Sequence, residues 1–371
     1  MSISNIVSIF IFDIVIRNVH GHGNMVMPPV WWDKEIIGMG EGNQCMSGGS
    51  IDDLPAGPYA GTSCYWFTND TFIPHSPTLD NSMRTIRDEE IISGFGPLDT
   101  TKRHPWRSPG SAHVYSPCGS AGGNPNGCPI GSPRGERSSP KGFDCPGGGW
   151  SYGPNAEDYP FDDVPITRWK IGDEVEVGWG ILANHGGGYS YRLCKVPRGG
   201  VSKITEKCFQ QTPLDFVGDI QWVQYGSDKD TRIPFMANRT RKGTYPKGSQ
   251  WTKNPIPNCY PNQYTYHESI VIKHIKSEDC KELQFPEPAP GLSGFGVVIQ
   301  NITDVLFKFH IIDKLKIPSS LEPGHYVLSF RWDCEQTPQI WNGCSSISLV
   351  IHDDNRLVMF GKNFIYMIDI K

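Results

Sequence analysis

Apolar and polar residues alternate one by one along two stretches of the chain, residues 173–179 and 188–194. A period of two sends successive side chains to opposite faces of an extended backbone, so both stretches read as strands. Their closeness in sequence predicts an antiparallel pair. The segment between them, Gly180-Ile-Leu-Ala-Asn-His-Gly186, then holds His185 near a strand end or in the connecting loop. Further strands are expected at residues 24–28, 269–275, 295–299, 326–332 and 346–351, and no internal repeat is detected.

Composition supports this pattern. The 371 residues include 41 Gly and 31 Pro, which favours many turns and few long helices. Residues 94–160 are dense in Gly, Pro and Ser but also carry three Cys, Trp106 and Trp150, so they read as a stapled loop region inside one domain rather than a tether. The expected fold is all-β: an immunoglobulin/fibronectin-III-like β-sandwich with long disulfide-stapled loops. Eleven cysteines without a CxxC pair suit disulfides formed in an oxidising compartment, and the odd count leaves one over. Pairing cannot be derived from sequence; the short-range proposals are Cys194 with Cys208, Cys118 with Cys128, and Cys334 with Cys344.

Net charge is only −5 and no basic stripe is present, which argues against a nucleic-acid partner and for a neutral ligand. An apolar run over residues 6–16, followed by Val19-His-Gly21, resembles a secretory leader. Cleavage after Gly21 would expose His22. The run is shorter than the ~20 residues a spanning helix needs, and no later segment could span a bilayer, so no membrane partner is expected. Residues 1–21 are thus expected to be the leader of a secreted, extracellular protein, residues 22–351 one domain, and residues 352–371 a C-terminal tail of unknown role. Asn-x-Ser/Thr triplets at Asn69, Asn238 and Asn301 agree with secretion.

A histidine at a free N-terminus offers two nitrogen ligands, its α-amino group and a ring nitrogen; a second imidazole completes a three-nitrogen set. Such a set suits Cu2+ and tolerates reduction to Cu+, whereas zinc would prefer a fourth tetrahedral ligand. Two segments make this concrete. His22-Gly-Asn-Met-Val-Met-Pro-Pro29 resembles the mature start of lytic polysaccharide monooxygenases with a chitin-binding type-4 domain. Ala183-Asn-His-Gly-Gly-Gly-Tyr-Ser-Tyr-Arg-Leu-Cys194 is similar to the second-histidine segment of that family, especially its invertebrate-type members, and the resemblance extends through Phe330 to Cys344.

The resemblance implies copper held by His22 and His185, and oxidative cleavage of chitin or cellulose. Oxygen or hydrogen peroxide would be the cosubstrate, with an external electron donor and a monomeric protein. The family's axial aromatic corresponds here to Trp341, three residues before Cys344; an indole nitrogen has no lone pair to give, so Trp341 would only shield that face. Gln339 matches an outer-sphere hydrogen-bonding residue, and Glu335 is the second choice for that role. Trp31, Trp32, Tyr189 and Tyr191 are the candidates for stacking on sugar rings. Two other readings stay open: a non-catalytic extracellular chitin-binding protein on the same scaffold, and copper storage or transport.

Overall fold

The computed structural model describes residues 22–31, 66–68, 109–110, 114, 116–119, 123–129, 151–152, 155–158, 166–184, 186–257, 285–292, 294–295, 298–299, 309–334, 339–351, 356–361 and 364–369. In chain order the strands begin with β1 (His22–Met27), β2 (Trp66–Thr68), β3 (Gly123–Pro129), β4 (Ser151–Tyr152), β5 (Ile166–Lys170), β6 (Glu174–Ala183) and β7 (Gly188–Lys195). The helix α1 (Glu206–Gln211) follows, capped by the Thr205 hydroxyl, which accepts from Cys208 N. Next come β8 (Asp215–Phe216), β9 (Ile220–Tyr225), β10 (Asp228–Met236), β11 (Arg239–Thr240) and β12 (Trp251–Lys253). The last are β13 (Gly294–Phe295), β14 (Val298–Ile299), β15 (Phe309–Lys316), β16 (Gly324–Asp333), β17 (Gln339–Val350), β18 (Arg356–Gly361) and β19 (Phe364–Asp369).

Two sheets make the sandwich. Sheet A runs β1-β6-β15-β9-β10 with β8 beside β15; sheet B runs β11-β12-β7-β16-β17-β2 with β5 parallel to β17. The all-β architecture expected from the alternation is present. The expected pairing of β6 with β7 is not: β6 lies between β1 and β15, whereas β7 lies between β12 and β16. The chain changes sheets between them because both strands bury an aromatic face in one core. Trp179 of β6 meets Tyr189 of β7 with ring centroids 4.7 Å apart, a contact made across the sandwich because the two strands lie in different sheets.

That core is aromatic. Trp179, Tyr189, Tyr191, Phe330, Trp332 and Trp341 are all fully buried in it, each burial contributing about 1.5–3 kcal/mol before chain entropy is counted. One carboxylate sits among them. Asp313 of β15 accepts from the Tyr189 hydroxyl at 2.6 Å and from Gln221 Nε2 at 2.9 Å, with Arg239 Nη2 at 3.4 Å. Desolvation raises its pKa to about 6 despite these partners.

The outer face of sheet B carries a second buried polar layer. Arg331 donates from Nε and Nη2 to Asp333 at 2.7 and 3.1 Å, Gly110 N caps the same carboxylate at 2.9 Å, and Glu206 of α1 joins Arg331 to Arg192. Cys194 bonds Cys208 as proposed. Cys118 bonds Cys344 of β17 instead of Cys128, which also rules out the Cys334–Cys344 pairing. Sheet topology decides this: residues 116–119 pack over sheet B, where Ser329 Oγ donates to Pro117 O.

The strands expected near 326–332 and 346–351 are β16 and β17; the one expected at 295–299 is two short strands, β13 and β14, paired with each other. The strand expected at 269–275 lies outside the described residues. In the tail, β18 and β19 pair antiparallel.

Candidate functional site at the turn between the sheets

β1 and β6 pair antiparallel, with His22 opposite Ala183, Gly23 opposite Ile181 and Asn24 opposite Gly180. Opposed residues in such a ladder have Cα atoms ~4.5–5.5 Å apart. The backbone of His22 is therefore one strand spacing from the residue that leads into Asn184 and His185. The side chain of His22 and the whole of His185 lie outside the described residues, but the residues on both sides of His185 are held firmly.

Asn184, fully buried, donates through Nδ2 to Ile256 O at 3.0 Å, and its Oδ1 accepts from Gly186 N at 2.9 Å and from Asn254 Nδ2 at 2.9 Å. Asn254 N donates to Gly187 O at 2.8 Å, and Asn254 Oδ1 accepts from Ile256 N at 3.0 Å. Trp332 Nε1 donates to Gly186 O at 2.8 Å. Gly186 and Gly187 have φ of 63° and 79°, the left-handed region that a Cβ disfavours. The run of three glycines after His185 thus has a local cause: the chain must reverse between sheets immediately beyond the histidine.

Trp332 also forms the floor under β1. A Cβ added at Gly23 would lie 2.7 Å from Trp332 Cζ3, so the histidine-glycine pair at the start of β1 lets an indole approach the backbone that no side-chain-bearing residue would admit. Gln339 opens β17 at the same end of sheet B, where Gly188 opens β7 and Asp333 closes β16. Among the described residues no three His, Cys, Asp or Glu side chains converge into a metal-holding group. The register aligns the start of β1 with the residues leading into the turn, and the described part of the turn is secured by neutral amide and indole groups.

Three of the proposed sugar-stacking residues are corrected. Tyr189 and Tyr191 are completely buried, because the strand turns that whole face toward Trp179 and Phe330. Trp31 is 5 % exposed and bonded through Nε1 to Ser346 Oγ at 3.0 Å, so it wedges residue 31 against sheet B rather than facing solvent. Trp32 and Glu335 lie outside the described residues. Trp341 is fully buried, opposite Trp332 in the β16–β17 ladder and part of the core.

Sequence reasoning missed Tyr245. It is 44 % exposed, and its N–H donates to Pro109 O at 2.8 Å. Pro109 precedes Gly110, whose N–H caps Asp333, and Asp333 pairs with Gly188 at the mouth of the turn. No sequence signal separates Tyr245 from the rest of the 14 tyrosines of the chain. Among the described residues no helix is long and apolar enough to cross a membrane.

No protein-family model matches the chain. It is similar to an AA13 family lytic polysaccharide monooxygenase A from Pyricularia oryzae, 24 % identical over 195 residues. That stretch is 51 % of this chain and 44 % of the relative, so the chain spans less than half the length of the curated relative it matches. Among solved structures, an AA15 lytic polysaccharide monooxygenase from Thermobia domestica in the Cu(I) state is 14 % identical, with TM-score 0.24, over 51 % of this chain and 65 % of that one. An AA10 enzyme of the same kind from Streptomyces lividans is 12 % identical with TM-score 0.21, over 58 % of this chain and 65 % of that one. A chitin binding domain from Burkholderia pseudomallei is 11 % identical with TM-score 0.24, over 50 % and 57 % of the two chains.

Proposed function

We propose that the chain is a secreted, copper-dependent lytic polysaccharide monooxygenase acting on chitin or cellulose, with residues 1–21 as leader and residues 22–351 as the catalytic domain. The observation that carries this reading is the pairing of His22 with Ala183, which aligns the first residue of β1 with the approach to His185. Sequence similarity to a lytic polysaccharide monooxygenase supports it. His22 would hold the metal through its α-amino group and ring, and His185 through its ring. Bound there, copper supplies one-electron chemistry toward oxygen or hydrogen peroxide, fed by an external electron donor.

The chain's own contribution is positioning. Asn184, Asn254 and Trp332 fix the residues on either side of His185. Gly23 keeps β1 close against Trp332. Gln339, with Glu335 as second choice, would offer a hydrogen bond beside the metal. Tyr245, together with Trp32, would present aromatic faces to the apolar C–H faces of sugar rings.

The test is direct. Protein secreted from its own reading frame should begin at His22 by mass spectrometry, bind copper, and release oxidised oligosaccharides from chitin or cellulose with ascorbate. A mature chain that starts at any other residue would overturn the ligand set. One observation favours a second reading, a non-catalytic polysaccharide-binding protein: Trp341 is packed into the core where the family places an axial aromatic. Binding to insoluble polymer without oxidised products from the copper-loaded protein would support that reading instead.

A further inference from the structure

We propose that Asn238 carries an N-linked oligosaccharide, standing beside the turn that holds His185. Asn238-Arg-Thr240 is an acceptor triplet with no proline at its middle position. Such triplets recur by chance, so the sequence alone decides nothing; its placement in the fold does. Asn238 is exposed and lies in the two-residue link between β10 and β11, outside any helix or strand. Its backbone is anchored, since Asn238 O accepts from Lys253 N at 2.8 Å. The hydroxyl of Thr240 is likewise engaged locally, accepting from Lys242 N at 3.0 Å. A glycan on this asparagine therefore projects from a fixed point into solvent and displaces nothing from the core. Asn69 and Asn301, the other triplets, lie outside the described residues.

The bond made is ordinary glycosyl transfer. Asn238 Nδ2 attacks the anomeric carbon of a polyisoprenyl-pyrophosphate-linked oligosaccharide. The bond from that carbon to the pyrophosphate oxygen breaks, the pyrophosphate leaves with the electron pair, and the amide loses one proton. No oxidant or reductant is needed; the donor and its transferase belong to the secretory pathway, so the inference rests on the secretory part of the reading above.

Position gives the glycan a consequence. Lys253, bonded to Asn238, pairs in turn with Gly188 at the start of β7. Two strand spacings, about 10 Å, thus separate Asn238 from the mouth of the turn. Asn238 also sits at the entrance to β11, the outermost strand of sheet B on this side among the described residues, and a glycan there screens that strand against pairing with another chain.

The experiment uses two forms of the chain in a secreting eukaryotic host, one with residues 1–21 and one with a heterologous leader. Peptide N-glycosidase treatment in heavy-oxygen water should convert Asn238 to an isotopically marked aspartate in most of the secreted protein. Asn238→Gln should abolish the mark at this site, while Thr240→Ser should retain it. If the form with its own leader stays in the cell, the secretory reading fails and the second form still decides the question at Asn238. An unmodified Asn238 in secreted protein whose Cys194–Cys208 bond has formed overturns the proposal.

Discussion

The turn between β6 and β7 and the polar layer on the outer face of sheet B meet at the Gly188–Asp333 pair, and both are buried, yet they are built from different chemistry. The turn is secured by amides, an indole N–H and backbone carbonyls: Asn184, Asn254, Trp332 and Gly186. The layer is ionic, with two guanidinium groups, Arg192 and Arg331, shared between Asp333 and Glu206. Neutral hydrogen bonds do not titrate and place no net charge in the turn. Buried ion pairs hold α1 to the sheet through Glu206, and Asp333 holds Gly110, but removal of one member strands a charge. A metal site gains from the first kind of support, and a covering loop tolerates the second.

The largest effect is expected at the shared floor. Trp332→Ala empties a fully buried indole site and leaves Gly186 O only the longer 3.4 Å bond from Asn254 Nδ2, so unfolding in urea should show a loss of about 3–5 kcal/mol. Copper affinity measured by calorimetry should fall with it. A variant that keeps wild-type affinity would mean that the turn does not depend on this ring. Asp333→Ala comes next: Arg331 keeps Glu206 but loses its bidentate partner, and about 3 kcal/mol of stability should go. Here copper affinity should hold; an equal fall in the two variants would erase the distinction between clamp and layer.

Gly23→Ala tests the close approach more gently. Its methyl would start 2.7 Å from Trp332 Cζ3, forcing the ring or β1 to move at a cost of about 1–3 kcal/mol. Hydrogen exchange should quicken first at residues 186–187, and unchanged exchange there would separate β1 from the turn.

The smallest effect is a slope. Burial holds the Asp313 pKa at about 6, above its ordinary 3.8, so the folded chain binds the extra proton. The stability this contributes is fully present below the ordinary value and is lost as pH rises through about 6. His310 runs the other way: burial lowers its pKa to about 3, so its contribution is present above 6.5 and lost on acidification. The comparison must therefore be differential. Asp313→Asn should gain on the wild type between pH 4 and pH 7 in unfolding free energy, His310 cancelling in the difference, and a flat difference would show that Asp313 does not titrate in this window.

Much of the scaffold was legible in the chain itself. Period-two alternation announced β6 and β7 and put His185 near a strand end or in the segment between them. These are local properties, set by φ and ψ preferences and by the face on which each side chain falls. Which strands are neighbours was decided only in three dimensions. Alternation says that Tyr189 and Tyr191 share a face but not that Trp179 and Phe330 cover it, so aromatics suited to sugar became core. Cysteine spacing suggested Cys118 with Cys128, but strand order brought Cys344 to Cys118. Tyr245 is tied to Pro109, next to the Gly110 that caps Asp333, a link between segments far apart in the chain that no local pattern announces. Sequence specifies what each segment can bury; the order of the sheets determines what it buries against, because that order is chosen by the summed packing of segments far apart in the chain.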